Sequence, residues 1–360
     1  MTLNSNSWSP QLSRRRLLRL SAGGALAAAG GGLLASCGRD GGSDGTAEGV
    51  RGVEITVSHW PSLMYTVPWV VATEQGYFSD AGLKLDGVVG SSGGGTTVRN
   101  VMTGGLPIGI TATTGAVQAY NAGAPLKIIS GANANIREIC FVTNPNSGIK
   151  SIADLKGKRI AYTSPGSVAQ GAIVLSLEQA GIDPENDVDL QSLGGYSEAQ
   201  TALKEGAVDV APAILPTFFT QEKEGWEVVF WASEFIPDFM QMVIIAGAQT
   251  IDREPQLVKD LVSVYRQGVE FTKNNVEEAA AAWAKASDVP EEAALEALRH
   301  VDPAAYYATV LDIDGLNAVA TEMRAIGLAS AEDEFDWEGL IDQQFIPEQD
   351  RIDVGKLNAT

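Results

Sequence analysis

Histidine and cysteine are nearly absent from this chain: among 360 residues there are only His59, His300, Cys37 and Cys140. Zinc-finger spacing is therefore excluded. If Cys37 is modified, as the leader discussed below predicts, Cys140 has no disulfide partner in the same chain, and its apolar setting "REICFVTN" predicts a buried thiol. Basic residues are also few, with 25 Lys and Arg against 45 Asp and Glu, a net charge of −20. Such a surface repels nucleic acid, and no basic patch with interleaved aromatics offsets it. The phosphate-loop pattern is missing, because "LKGKR" has no glycine five positions before Gly157. The serine-nucleophile elbow is missing too, because in "SPGSVAQG" Ser167 directly follows Gly166 and no glycine stands two residues later. No arginine clamp stands out: Arg99 falls within a predicted helix and Arg137 near a crossing between lobes. A long apolar run is lacking as well. The stretch Leu20 to Ala35 is thinned by five glycines and falls short of the roughly 20 residues a membrane-spanning helix needs.

That short run has a different reading. Ser13-Arg14-Arg15-Arg16-Leu17-Leu18-Arg19 resembles a twin-arginine export signal, and Leu34-Ala35-Ser36-Cys37 resembles a lipobox. Residues 1–36 are thus expected to be a cleaved leader, with lipid placed on Cys37. Removing four arginines and no acid leaves residues 37–360 at −24. "GRDGGSDGTAEGVRG" completes a flexible polar tether over 37–52. The remaining length exceeds what one core usually serves, so two lobes are expected.

From Val53 onward, short apolar runs alternate with helical periodicity, which predicts an α/β fold. Strands are expected at "VEITVSHW", "LKLDGVV", "PIGITAT" and "LKIISGA". Helices are expected at "VPWVVATEQGYFSDAG", "TTVRNVMTGG" and "GAVQAYNAG". A second series follows. "SIADLKG" opens on a Ser151/Asp154 capping box, and "SEAQTALKEG" is read with a Ser197/Gln200 box. "KRIAYT", "DVDLQSLG" and "AVDVAPAI" are strands, and "SVAQGAIVLSLEQAG" is a helix. The series match in kind: helix, glycine stop, short strand, with Gly105 and Gly206 equivalent. Beyond Gln256 the pattern is helical and amphipathic, a packing shell.

The strings "VPWVVATEQGYFSDAGLKLDGVV", "GGTTVRNVMTGGLPIGITATTGAVQAYNAGAPLKIISG" and "SIADLKGKRIAYTSPGSVAQGAIVLSLEQAGI" resemble the nitrate/sulfonate/taurine-type solute-binding proteins of ABC importers. The resemblance covers roughly residues 53–235. It implies an α/β bilobal periplasmic-binding-protein fold, two lobes around a ligand cleft joined by crossing hinge segments. Lobe 1 would be 53–133 plus 243–360, lobe 2 would be 138–235, with hinges near 134–137 and 236–242. It implies a monomer that captures a small organic solute, closes by hinge motion and delivers it to a membrane permease with its ATPase subunit. It implies no cofactor and no metal. A thiamine-pyrimidine precursor or an aromatic carboxylate is the rival ligand, and an extracellular enzyme on the same scaffold is the rival class. Pyrimidine-precursor synthases of similar fold carry a cysteine-rich stretch that is absent here, and an exported lipoprotein is the wrong setting for them.

Candidate ligand residues lie where strands end and helices begin. "SSGGGTT" brings Gly94, Gly95, Thr96 and Thr97, with Thr96 or Thr97 expected near the N-cap. "ATTGA" brings Thr113 and Thr114, and "SPGSVAQ" brings Gly166 and Ser167. Amides at the positive end of a helix suit an anionic or hydrogen-bond-accepting group. Three such loops together outweigh any one of them as an ordinary turn. His59, Trp60 and Tyr65 follow the first strand, and Tyr196 follows "LGG". Leu215, in "AILPTF", stands where similar proteins often present a tryptophan or a glutamate before proline, a departure that counts against a pyrimidine-reading site. Phe239 and Gln241 lie on the return crossing. His300, ending "ALEALRH", is expected to serve as a helix C-terminal residue without a ligand role.

Overall fold

The computed structural model describes residues 50–91 and 93–358. The expected leader, Cys37 and the tether as far as residue 49 lie outside the described residues. Among those described, no helix is long and apolar enough to cross a membrane.

The chain runs β1 (Arg51–Ser58), α1 (Val67–Glu74), α2 (Tyr77–Asp80), β2 (Leu83–Ser91), α3 (Gly94–Met102), β3 (Ile108–Ala112), α4 (Thr113–Asn121) and β4 (Leu126–Asn133). It then crosses to β5 (Ile139–Thr143), β6 (Arg159–Tyr162), α5 (Val168–Gln179), β7 (Asp189–Ser192), α6 (Tyr196–Lys204), β8 (Ala211–Ile214), α7 (Thr217–Lys223) and β9 (Glu227–Trp231). A second crossing returns it to β10 (Met242–Gly247). Helices follow: α8 (Ala248–Arg253), α9 (Pro255–Asn274), α10 (Val276–Ser287), α11 (Glu291–Val301), α12 (Pro303–Tyr306), α13 (Ile313–Ala325) and α14 (Trp337–Leu340).

The first sheet has the order β2-β1-β3-β10-β4. β1 pairs in parallel with β2 and β3, whereas β10 runs antiparallel to both β3 and β4. β10 reads MVIIAG with every residue buried, as a strand covered on both faces should. In the second half, β5 lies between β8 and β9, all antiparallel, and β6 pairs in parallel with β7. An Ile160–Val210 bridge brings β6 beside the β8 edge. The two crossings touch, since Phe239 N donates to Ala134 O at 3.1 Å.

The glycine stops behave as the repeated pattern implies. Gly105 and Gly206 sit at φ +74° and +72°, the left-handed region that closes a helix and favours glycine. The Ser151/Asp154 capping box is present. The Ser197/Gln200 box is not: the N-cap lies two residues earlier, at Gly195, and α6 starts on Tyr196. Gln200 instead donates to Pro212 O and accepts from Gln221 Nε2 at 2.6 Å, because β8 and α7 lie beside it.

C-terminal helices cover the first sheet through large apolar side chains. Trp69 on α1 packs against Tyr265 on α9, ring centroids 5.2 Å apart, and Trp283 on α10 is fully buried with its Nε1 donating to Pro61 O at 3.0 Å. Each such residue contributes about 1.5–3 kcal/mol by leaving water. The first crossing is pinned to this shell as well, through Ala134 N donating to Tyr306 O.

Candidate functional site

The glycine loop leads into α3 one turn earlier than its threonines imply. Gly93 is the N-cap, and the amides of Thr96 and Thr97 both donate to its carbonyl at 3.1 Å. The amides that open a helix have no intrahelical acceptor, so those of Gly94 and Gly95 point out of the α3 terminus. Thr97 turns inward. Its hydroxyl lies 2.7 Å from Ser58 Oγ and 2.5 Å from Ser91 Oγ, all three buried. It braces the ends of β1 and β2 against α3, and Thr97 thereby plays a supporting part beneath the loop.

A second helix opens beside the first. α4 is fixed by the return crossing: Thr113 N donates to Gln241 O at 3.0 Å, and Thr113 Oγ1 donates to Met240 O. Thr114, the next residue, is buried in the first turn. The two termini nearly touch. A Cβ on Gly94 would lie 2.9 Å from Thr111 Oγ1 and 3.5 Å from Gly115 Cα. Only glycine at 94 lets α3 come this close to β3 and α4. Between them sits the Thr111 hydroxyl, wholly buried and without a hydrogen-bond partner. Two positive helix ends and an unpaired hydroxyl make an anion-seeking corner, built without a guanidinium. Arg99 is exposed, and Arg137 Nη1 donates to Val301 O at 3.3 Å.

The third loop satisfies itself. Ser167 Oγ accepts from Gln170 N at 3.2 Å and from Thr163 Oγ1 at 2.8 Å, while Gly166 N donates to Gln170 Oε1 at 2.7 Å. Gly166 lies near the Gln118 side chain of α4 and Leu328, so this loop faces the first half of the molecule.

His59 sits at φ +52°, exposed, with Nδ1 2.8 Å from the Tyr65 hydroxyl. Burial raises the Tyr65 pKa well above its ordinary value, and Tyr196 and Glu138, which face it, add to the rise. Tyr65 in the first half and Tyr196 in the second thus lie near enough for the charge of one to act on the other. Trp60 is half-buried beside them, packed on the core. Leu215 and Phe239 are buried in the hydrophobic core. His300 stacks on Trp231 of β9 with ring centroids 4.0 Å apart, which ties α11 to the second half as well as ending its helix.

Gln241 leads to a group that motif reading passes over. Its Nε2 donates to Glu138 Oε1 at 2.5 Å, and Glu138 is 1 % exposed. Burial lifts the Glu138 carboxyl to about 7, against the pull of Gln241 and the nearby Tyr306. Glu138 precedes "ICFVT", five buried residues in a row, and a charged residue opening such a strand is its one sequence signal. Cys140, two residues on, is buried with its thiol pKa pushed up by desolvation, so it is not a poised nucleophile. Among the described residues no group of three or more His, Cys, Asp or Glu could hold a metal ion.

Two α/β halves, joined by touching crossings and facing each other across helix termini and tyrosines, form a bilobal periplasmic-binding-protein fold. The chain belongs to the NMT1/THI5-like family, whose model matches residues 64–279. It is 24% identical over 275 residues to a Bacillus subtilis (strain 168) protein named for binding aliphatic sulfonates, covering 75% of this chain and 80% of that one. The periplasmic aliphatic sulphonate binding protein SsuA of Escherichia coli superposes with a TM-score of 0.68 at 18% identity, over 81% of this chain and 92% of its own. The desulfurization enzyme DSZB shares the fold too, with a TM-score of 0.60 at 15% identity, over 81% of this chain and 97% of its own.

Proposed function

We propose that this protein is the extracytoplasmic solute-binding component of an ABC importer and that it carries a small organosulfonate. The observation that carries this reading is the corner where the N-termini of α3 and α4 converge on the unpaired Thr111 hydroxyl. Sulfonate oxygens accept hydrogen bonds from amides and hydroxyls, and the helix ends supply the partial positive charge. Kinship with sulfonate-binding proteins supports the same ligand class.

Lobe 1, residues 53–133 with 243–360, carries that corner, and lobe 2, residues 138–235, closes over it. Segments 134–137 and 236–242 serve as hinges. Tyr65 and Tyr196 approach each other as the lobes close, and the closed form docks on the permease and its ATPase partner. The twin-arginine-type leader and Cys37 place the protein, as a monomer, on a lipid anchor at the outer face of the cell membrane. The site is read as one of binding alone, in keeping with the relatives named for binding sulfonates and with a buried Cys140 thiol that is not poised for attack.

A thermal-shift series tests the reading, because a ligand that binds only the folded state stabilises it by about 2.7 kcal/mol at a hundredfold excess over Kd. Short alkanesulfonates and their amino derivatives are expected to raise the melting temperature more than nitrate, benzoate or an aminopyrimidine. A larger rise with the pyrimidine or the aromatic carboxylate would replace the sulfonate assignment. Turnover of a sulfonate without a shift would replace the transport role.

A further inference from the structure

Glu322 on α13 is fully buried, and neither of its carboxylate oxygens has a partner. It lies on Gly171 of α5, where a Cβ would fall on the carboxylate itself. The ionisable groups around it lie at the surface or are engaged elsewhere. Asp314 on α13, Glu178 on α5, Asp238 on the return crossing, and Glu332 and Glu334 after α13 are all exposed. Arg324 turns to Asp333 O and the Phe335 ring, and the Tyr120 hydroxyl of α4 is held by Asp336. Burial alone therefore raises the Glu322 carboxyl well above its ordinary range. A carboxylate kept this deep without a partner is costly, and packing by itself does not account for it.

The path of the chain gives that carboxylate a use. Both flanks of α13 are held on lobe 1: Ala308 N donates to Ala132 O on β4 at 3.0 Å, and Asp342 N donates to Ile128 O on the same strand at 2.9 Å. Between those anchors the chain leaves β4 and lies on lobe 2, with Glu322 on Gly171 and Leu328 beside Gly166. Among the described residues no hydrogen bond or ion pair joins α13 to α5. What remains is the Glu322 contact and an apolar core in which Val319 and Met323 of α13 share a cluster with Ala172 and Leu175 of α5. An interface without directional bonds can part as a unit, and parting hydrates Glu322.

We propose that α13 is a strap across the two lobes and that Glu322 is its proton-operated latch: protonated, it stays on Gly171 and holds the lobes together; ionised, it draws α13 off α5 and lets them part. This rests on the hinge-closing reading above and not on the identity of the solute. In the strapped form the carboxyl is raised, whereas in the parted, hydrated form it titrates in the ordinary range near 4.5. The strapped form is therefore fully favoured below that range. It loses ground by up to about tenfold per pH unit as pH rises from there toward the raised value. A solute that binds the closed form is held more firmly at acid pH and released more readily at neutral pH.

The test is the distance between spin labels on Arg99→Cys of α3 and Glu198→Cys of α6, exposed positions on opposite lobes, in the solute-free Cys37→Ala protein, where Cys140 is buried and stays unlabelled. From pH 5 to pH 8 the shorter distance is expected to give way to a longer one, the ratio of the two falling at least tenfold. Glu322→Gln and Glu322→Met, both neutral and close in length, should hold the shorter distance at both pH values. Glu138→Gln, which removes the other raised carboxyl, should keep the response. Distances unchanged between pH 5 and pH 8 overturn the latch, and so does a response undiminished in both Glu322 variants. Saturating propanesulfonate separates this inference from hinge closure. If the sulfonate shortens the distance and pH does not, only the latch falls; if neither moves it, both fall.

Discussion

With its carboxyl lifted from 4.5 to about 7, Glu138 keeps a proton in the native state that the unfolded chain has already released. Stability therefore falls as pH rises from 4.5 through 7, and the full cost, on the order of 3 kcal/mol, is present only above that window. Glu138→Gln is expected to raise the melting temperature of the ligand-free protein by several degrees at pH 8 and hardly at all at pH 4.5. Gln241, Tyr65, Tyr196, Tyr306 and Tyr307 face the carboxylate, and the tyrosines, all raised by burial, stay neutral throughout. Glu322, buried against Gly171 with both oxygens unpaired, titrates in the same direction, so the difference between the two proteins is the informative quantity. Thr111→Val removes another unpaired group without changing shape. It should leave the melting temperature unchanged or slightly higher and weaken sulfonate binding about five- to tenfold, measured by titration. The hydroxyls and glycines of this corner were legible in the sequence, because small polar residues between a strand and a helix have a recognisable pattern. Glu138 and Tyr306 were not, since a glutamate before a strand and a tyrosine after a helix are ordinary until burial is known.

Helices whose apolar spacing and stops agree can be read directly, and α5, α9, α10, α11 and α13 formed where periodicity placed them. What spacing does not show is how closely two helices approach. Gly268 on α9 is such a case: a Cβ there would lie 2.1 Å from Pro68 O on α1, a backbone atom that cannot swing aside. Gly268→Ala is expected to cost about 1–3 kcal/mol by forcing the two helices apart, seen as a lower urea midpoint with little change in slope. The misread cap of α6 has a comparable cause. Gln200 had the right spacing for a box with Ser197, but tertiary partners from β8 and α7 claimed its side chain. The α3 N-terminus also moved, from a threonine to Gly93, because Thr97 is held inward by Ser58 and Ser91.

At the scale of the whole molecule, the two crossings join the halves and touch each other through Phe239 N and Ala134 O. Cys37→Ala is expected to shift the protein from the membrane fraction to the soluble extracytoplasmic fraction; retention in the membrane fraction would contradict the lipobox reading. The order of strands explains why two distant stretches of sequence share one site. β10 returns from the second half to lie between β3 and β4, and thereby places Gln241 beside Thr113 and Glu138. Such a juxtaposition comes from topology, which local patterns do not encode.

The most direct test of the central claim is a crystal structure of the protein soaked or co-crystallised with a short alkanesulfonate that stabilises it. The sulfonate oxygens should lie roughly 3 Å from amides in the first turns of α3 and α4 and from Thr111 Oγ1. A sulfonate found elsewhere, with that corner left to water, would contradict it.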